Sequence, residues 1–302
     1  MYDGRYRHLV VRLGIIAALA LGGDDRLVFS QQADGTIAIG TFKSAVALSV
    51  DPFGNMYVID GGTSELLKYS ADGRLLAKVG GYGWEQGTFD RPADVVTPNG
   101  LDVYVADYGN HRIQRFDRNL NFVSSYSTQQ DEEQPIRFGY PQSVALSRFG
   151  SMFIADGENK RIVKLTPDGA VERVFGDIGS GAGKLSSPRK VRVSADDRAY
   201  VIDGNAVVVF DVFGNYIRRL GTGSFAGIRS LAVDQRTVYI LDSCRAYTLG
   251  RENSIGHELD LAQFHDQLHP CDILDAQFAG EARYFLTRHQ LFRHQLQPEN
   301  AR

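Results

Sequence analysis

Asp60, Asp107, Asp156, Asp203 and Asp242 close five near-identical tetrapeptides: Tyr57-Val58-Ile59-Asp60, Tyr104-Val105-Ala106-Asp107, Phe153-Ile154-Ala155-Asp156, Tyr200-Val201-Ile202-Asp203 and Tyr239-Ile240-Leu241-Asp242. Five carboxylates at one spacing look at first like a ring of active groups. Each follows an apolar alternating run, however, and an aspartate at the end of a strand can accept backbone N–H bonds across the following turn. Asn110 and Asn159 suit the same turn, and Arg112 and Arg161 can pair with a neighbouring aspartate. These residues are read as scaffold. His111, Tyr108 and Trp84 are read as solvated loop residues. His265 and His269, near Cys271, have the spacing of two zinc ligands, but nothing specifies a third or fourth. No Gly-x-Ser-x-Gly elbow, Cys-His pair or phosphate-binding loop stands in a strand–helix context.

The elements that must position these residues follow from the same repetition. The gaps between the five aspartates are 47, 49, 47 and 39 residues, the period of a repeat architecture. Each tetrapeptide is preceded by a short strand (Val46-Ala47-Leu48, Val95-Val96, Val144-Ala145-Leu146, Val191-Arg192-Val193, Leu231-Ala232-Val233), and turn formers such as Pro52-Phe53-Gly54-Asn55 join the two. Third and fourth strands follow, as in Arg161–Leu165 and Val171–Phe175. Four antiparallel strands per repeat make a propeller blade. A sixth repeat, anchored at Ile273, has Tyr284-Phe285-Leu286 as second strand, Thr287 in place of the aspartate, and no fourth strand. The piece 33–40 reads as a fourth strand without its own first three. The expectation is an all-β, six-bladed propeller over residues 26–296, its last blade closed by an N-terminal strand, with 297–302 as a tail.

In such a ring the starts of the first strands line the axis. The residues just before the anchors are where the repeats diverge chemically: Ser44-Ala45, Ala93-Asp94, Gln142-Ser143, Arg189-Lys190, Arg229-Ser230 and Cys271-Asp272. Asp94, Ser143, Arg189, Lys190, Arg229, Ser230 and Asp272 are therefore the candidate ligand-binding set. A divalent metal beside three cations is electrostatically unfavourable. An anionic ligand or a peptide carboxylate would suit Arg189, Lys190 and Arg229; alternatively, these charges pair with one another across the channel mouth.

The segment Gly87-Thr88-Phe89-Asp90-Arg91-Pro92, followed by 103–116, resembles the NHL repeat almost residue for residue. The copy from Phe138 to Val163 is similar, with Lys160 in place of the histidine, and the others are weaker. The resemblance covers about residues 33–296 and implies a six-bladed propeller. Related propellers include metal-dependent lactonase-like hydrolases, an amidating lyase, and RNA-binding regulatory proteins. The reading adopted is a non-catalytic binding module, a monomer without cofactor or metal, that recognises a protein, peptide or anionic ligand at a loop face or the channel mouth. A propeller enzyme is the alternative and RNA binding the third.

A net charge of −3 lacks the basic footprint of a general nucleic-acid binder. Arg5, Arg7 and Arg12 precede the nine-residue apolar run Leu13–Leu21, and Ala18-Leu19-Ala20 is a small-x-small site; this is the layout of a signal peptide over 1–22, too short to span a bilayer in the mature chain. Export from a bacterial cell to the periplasm or medium is expected, with the cytoplasm the alternative. Cys244 and Cys271 are the chain's 2 cysteines and are either free buried thiols or a bridge between neighbouring blades.

Overall fold

Alternating apolar runs cut by Gly, Asn and Asp turns fold here into six four-stranded antiparallel sheets. The computed structural model describes residues 35–128, 137–235, 237–249, 255–259, 261 and 268–296. The signal-peptide segment 1–22, the first residues of the expected propeller (26–34), His265 and the tail 297–302 lie outside the described residues. Blade 1 consists of Ala45–Val50, Met56–Asp60, Glu65–Tyr69 and Leu75–Gly80, hydrogen-bonded in that order. Blades 2 to 5 repeat the pattern over 92–126, 141–175, 188–220 and 228–259. Blade 6 is Ile273–Ala279, Ala282–Thr287 and Leu291–Gln295, and the N-terminal strand Thr36–Ile39 completes it. That strand pairs antiparallel with the third, Thr36 opposite His294 and Ile39 opposite Leu291. Strands from opposite ends of the propeller sequence thus share one sheet, which closes the ring. No helix among the described residues is long and apolar enough to cross a membrane.

Burial follows position in the blade. The second strands are covered on both faces, so Met56–Asp60 and Met152–Asp156 are buried at every residue, whereas the outermost Tyr216–Leu220 contains no fully buried residue. Apolar clusters fill the interfaces between neighbouring blades. Between blades 3 and 4, for example, Phe153, Phe175 and Phe210 meet edge to face, at 6.3 and 4.9 Å between ring centres. Packing is therefore between repeats rather than within them, as expected for sheets that cannot bury a face alone.

Every first strand carries a β-bulge at the same place: between Ala45 and Ala47, Pro92 and Asp94, Pro141 and Ser143, Pro188 and Lys190, Ile228 and Ser230, and Ile273 and Asp275. The register corrects two anchors. Leu48 and Ala276, not Val46 and Ile273, align with Val95, Val144, Val191 and Leu231, each opposite the second residue of its tetrapeptide. Val46 is an extra bulge residue, 40% exposed. Ile273 occupies the place that proline takes in blades 2, 3 and 4.

Candidate functional site

The repeated aspartates act as clamps. Asp60 accepts the N–H groups of Lys43 and Ser44 at 2.7 and 2.8 Å, Asp203 those of Ser186 and Ser187 at 2.7 and 2.6 Å, and Asp242 those of Ala226 and Gly227. Asp156 does the same for Gly139 and Tyr140, and Asp107 for Asp90. Most of these bonds reach back to the inter-blade connection before the first strand, rather than only across the following turn, as the bond from Gly62 N to Asp60 does. Arg112 and Arg161 donate from Nε to Asp107 and Asp156 at 2.8 and 3.1 Å, and Asn110 and Asn159 add amide bonds. Asp107 is fully buried, and desolvation raises its pKa in spite of these partners.

The residue that follows each bulge occupies one register position in every blade: Ala47, Asp94, Ser143, Lys190, Ser230 and Asp275, in ring order. Lys190 of blade 4 donates to Asp275 of blade 6 at 2.7 Å and to Ser230 at 3.3 Å, while Ser230 Oγ bonds Asp275 Oδ1. Arg192, two residues along the same strand, makes a bidentate bond to Asp94 of blade 2 at 2.8 and 2.9 Å, and Ser143 Oγ bonds Asp94 at 2.5 Å. Asp94, Ser143, Ser230 and Asp275 are all at most 1% exposed. Burial, the largest single influence, would raise the Asp94 pKa, but Arg192, Lys190 and Ser143 together outweigh it and hold the carboxyl below the usual range. The same side chains serve the blade edges: Asp94 accepts Val144 N, Ser143 accepts Val191 N, and Asp275 accepts Leu48 N, each from the following blade. Inner strands are sheet edges, and the girdle satisfies donors they would otherwise leave open.

The structure divides the sequence-expected set between two environments. Asp94, Ser143, Lys190 and Ser230 belong to the girdle. Asp272 does not: it sits exposed in the 3-10 turn Pro270–Asp272, and Asp275 takes the girdle position instead. Arg189 and Arg229 are bulge residues outside the girdle. Arg189 bonds the carbonyls of Gly204 and Ile228 at 2.9 and 2.8 Å, and Arg229 bonds those of Cys271 and Ile273. Each spans to the next blade. Arg192 and Asp275 were missed because Arg192 lies within an apolar-looking strand and blade 6 was aligned three residues early. Counting 12 or 13 residues back from the last tetrapeptide position finds every girdle residue. Cys244 and Cys271 form a disulfide that joins blades 5 and 6, which resolves the open choice between free thiols and a bridge.

A resident metal does not fit this site, since each girdle carboxylate is already bound to a cation. Among the described residues no group of three or more His, Cys, Asp or Glu is placed to hold a metal. Open space lies at the other end of the channel, where the first strands finish. A cavity of about 930 Å³ is lined there by Ser49, Thr97, Arg192, Phe278, Tyr284 and Arg293, among others. Hairpin tips surround it, and Phe53, Leu101 and Phe149 on them are 69, 56 and 67% exposed. Phe53 is held at its tip by Asp51, whose carboxylate accepts the N–H of Phe53 and Asn55, both at 2.9 Å.

The family model of the NHL repeat matches residues 89–116, the second strand and its surroundings in blade 2. Blade 2 of this six-bladed propeller thus contains an NHL repeat. The chain is 30% identical over 129 residues to a probable peptidyl-alpha-hydroxyglycine alpha-amidating lyase of Caenorhabditis elegans, covering 41% of the propeller chain and 37% of the relative. It is 29% identical over 175 residues to NHL repeat-containing protein 3 of Mus musculus, covering 52% and 49%. The chain thus spans less than half the length of these relatives. Virginiamycin B lyase from Staphylococcus aureus shares the fold with a TM-score of 0.60 at 16% identity, over 91% of this chain and 93% of that one.

Proposed function

We propose that the propeller is a non-catalytic recognition module that takes a protein or peptide partner at a loop face, with the cavity at the finishing end of the channel as its receptacle. The observation that carries this reading is the girdle. The acids that an axial metal site or an acid–base pair would use are consumed by Arg192 and Lys190, while the far end offers a wide mixed polar and apolar recess. Exposed phenylalanines on hydrogen-bonded turns are suited to act as preformed anchors. Selection of a phage-displayed random 12-residue peptide library on the intact chain tests it. Peptides that bind the wild type and lose binding to the Phe53→Ser/Phe149→Ser variant are expected; binding unaffected by these changes refutes the use of this face. Turnover of a synthetic peptidyl-α-hydroxyglycine, with or without added zinc or calcium, would refute the non-catalytic reading.

Export is part of the proposal. It is supported by the basic and apolar pattern of residues 1–22 and by the Cys244–Cys271 disulfide, a bond typical of oxidising compartments. Sequencing the N-terminus of periplasmic or secreted protein is expected to show removal of the apolar run; an intact Met1 there refutes cleavage.

A further inference from the structure

The carboxylate clamp recurs in blades 1 to 5 at one register position. Two residues before the strand partner of each clamping aspartate stand Lys43, Asp90, Gly139, Ser186 and Ala226. Each gives its backbone N–H to the aspartate of its own blade. In blade 6 the aspartate's place is taken by Thr287, opposite Ile273, and the clamped position falls on Cys271. Thr287 Oγ1 instead donates to Gln290 O at 3.0 Å and accepts Gln290 N at 3.1 Å, so the hydroxyl is spent on its own hairpin. The N–H of Asp272, next to Cys271, turns to His269 O at 2.9 Å within the 3-10 turn.

What holds Cys271 is its disulfide to Cys244, in the turn between Thr237–Asp242 and Arg245–Leu249 of blade 5. Arg229, also of blade 5, adds bonds to the Cys271 carbonyl and, at 3.1 Å, to that of Ile273. The covalent bond thus stands at the register position where the hydrogen-bonded clamp is lost. It ties the entry of blade 6 to the preceding blade. Blade 6 is also the sheet that closes the ring, with Thr36–Ile39 as its outer strand. Both cysteines are half-buried, beside the exposed Arg245 and Asp272, so a small reductant can approach the bond.

We propose that this disulfide is the sixth clamp and makes the docking of blade 6 depend on redox state. A small dithiol attacks one sulfur as its thiolate and expels the other cysteine. Its second sulfur then displaces the first cysteine, and it leaves as an internal disulfide. Two electrons pass from the dithiol to the protein, and its two protons end on Cys244 and Cys271. The entry to blade 6 then keeps only the Arg229 bonds and its own turn. The apolar cluster between blades 5 and 6, with the stacked Tyr239 and Phe278 rings, and the Lys190–Asp275 pair still hold the ring. Reduction therefore opens blade 6 locally, at the starting end of its first strand, before the other blades.

Hydrogen–deuterium exchange of the intact chain, oxidised and after treatment with dithiothreitol, tests this, with thiol release followed by alkylation and mass spectrometry. On reduction, exchange over 268–279 is expected to accelerate at least about tenfold more than over the second strands 102–107 and 152–156. Thr287→Asp returns a carboxylate to the clamp. It is expected to slow exchange over 268–279 at least about threefold in the reduced chain and to change little in the oxidised chain. Reduced wild type reads the opening even where the variant misfolds. A bond that resists dithiothreitol until the chain unfolds, equal acceleration in every blade, or a Thr287→Asp effect of one size in both redox states would each overturn the proposal.

Discussion

Arg192→Met removes the paired cation from a buried carboxylate. Asp94 is 1% exposed and would retain Ser143 Oγ and Val144 N as hydrogen-bond partners, with Lys190 the remaining cation acting on it. A buried unpaired carboxylate avoids its charge by taking up a proton, which bounds the cost. Starting from an unfolded pKa of about 3.9, protonation at pH 7 costs roughly 1.36 kcal/mol for each of 3.1 units, or about 4 kcal/mol in all. This falls within the roughly 3–5 kcal/mol measured when one partner of a buried pair is removed. The same reasoning sets the pH dependence. In the wild type the folded Asp94 pKa is depressed, so its contribution is complete above the unfolded pKa and is lost as the pH falls through the folded value. In Arg192→Met the folded pKa is raised instead, so the deficit should shrink with acidification, to about 1.5 kcal/mol at pH 5. Asp94→Asn/Arg192→Met, with no charge left to bury, should recover most of the loss. Urea unfolding followed by far-UV circular dichroism at pH 7 and pH 5 measures all three. A single-variant deficit below about 1 kcal/mol at pH 7, or one that does not change with pH, would refute the picture of a dry, mutually neutralised girdle.

Cys244→Ser/Cys271→Ser should cost about 3.5 kcal/mol by the loop-entropy relation for a sequence separation of 27, read from urea midpoints, and the unreduced wild type should yield no free thiol after denaturation. Asp156→Asn should destabilise by roughly 3–5 kcal/mol, because it removes the carboxylate paired with Arg161, whose side chain is 12% exposed, and weakens the clamp on Gly139 and Tyr140; Asp60→Asn, which breaks no ion pair among the described residues, should cost less in the same assay. Gly80→Ala should be strongly destabilising, since Gly80 has φ +130° and an added Cβ would meet Ser64 O at 2.4 Å; thermal unfolding within a degree of wild type would refute the contact.

The blades, their number and the shared closure were legible because they rest on turn chemistry and alternation, which repeat. Tyr57-Val58-Ile59-Asp60 and its copies mark the second strands directly, and the piece 33–40 gives itself away by matching the fourth strand 71–80. The girdle was less legible because the bulge breaks the period of two that assigns side chains to faces. One extra residue between Ala45 and Ala47, or between Ile273 and Asp275, reverses what an apolar alignment implies. Val46 and Ile273 were therefore plausible anchors and wrong ones, and Asp272 stood in for Asp275. Arg192 was hidden for the same reason: Val191-Arg192-Val193 reads as an apolar strand until its parity is known. The disulfide could not be read from spacing, because Cys244 and Cys271 become neighbours only once blades 5 and 6 lie side by side.

With the register corrected, the divergence between repeats acquires an order. Around the ring the girdle reads Ala47, Asp94, Ser143, Lys190, Ser230, Asp275, which is the same in either direction about the line joining blades 1 and 4. Blade 4 supplies both cations, blades 2 and 6 the acids, and blades 3 and 5 the serines between them. Arg192 contacts Ser143 at 3.2 Å as Lys190 contacts Ser230 at 3.3 Å, so each half is one cation, one serine and one carboxylate. A site built to act on a ligand would leave some of that valence open. Here each half is neutral and closed, and its remaining acceptors hold Val144 N and Leu48 N of the next blades. Chemical difference among repeats at the axis is therefore a device for closing a six-part ring around two compensated ion pairs. In the proposed reading, recognition falls to the recess at the far end of the channel, where open space and exposed hairpin tips meet.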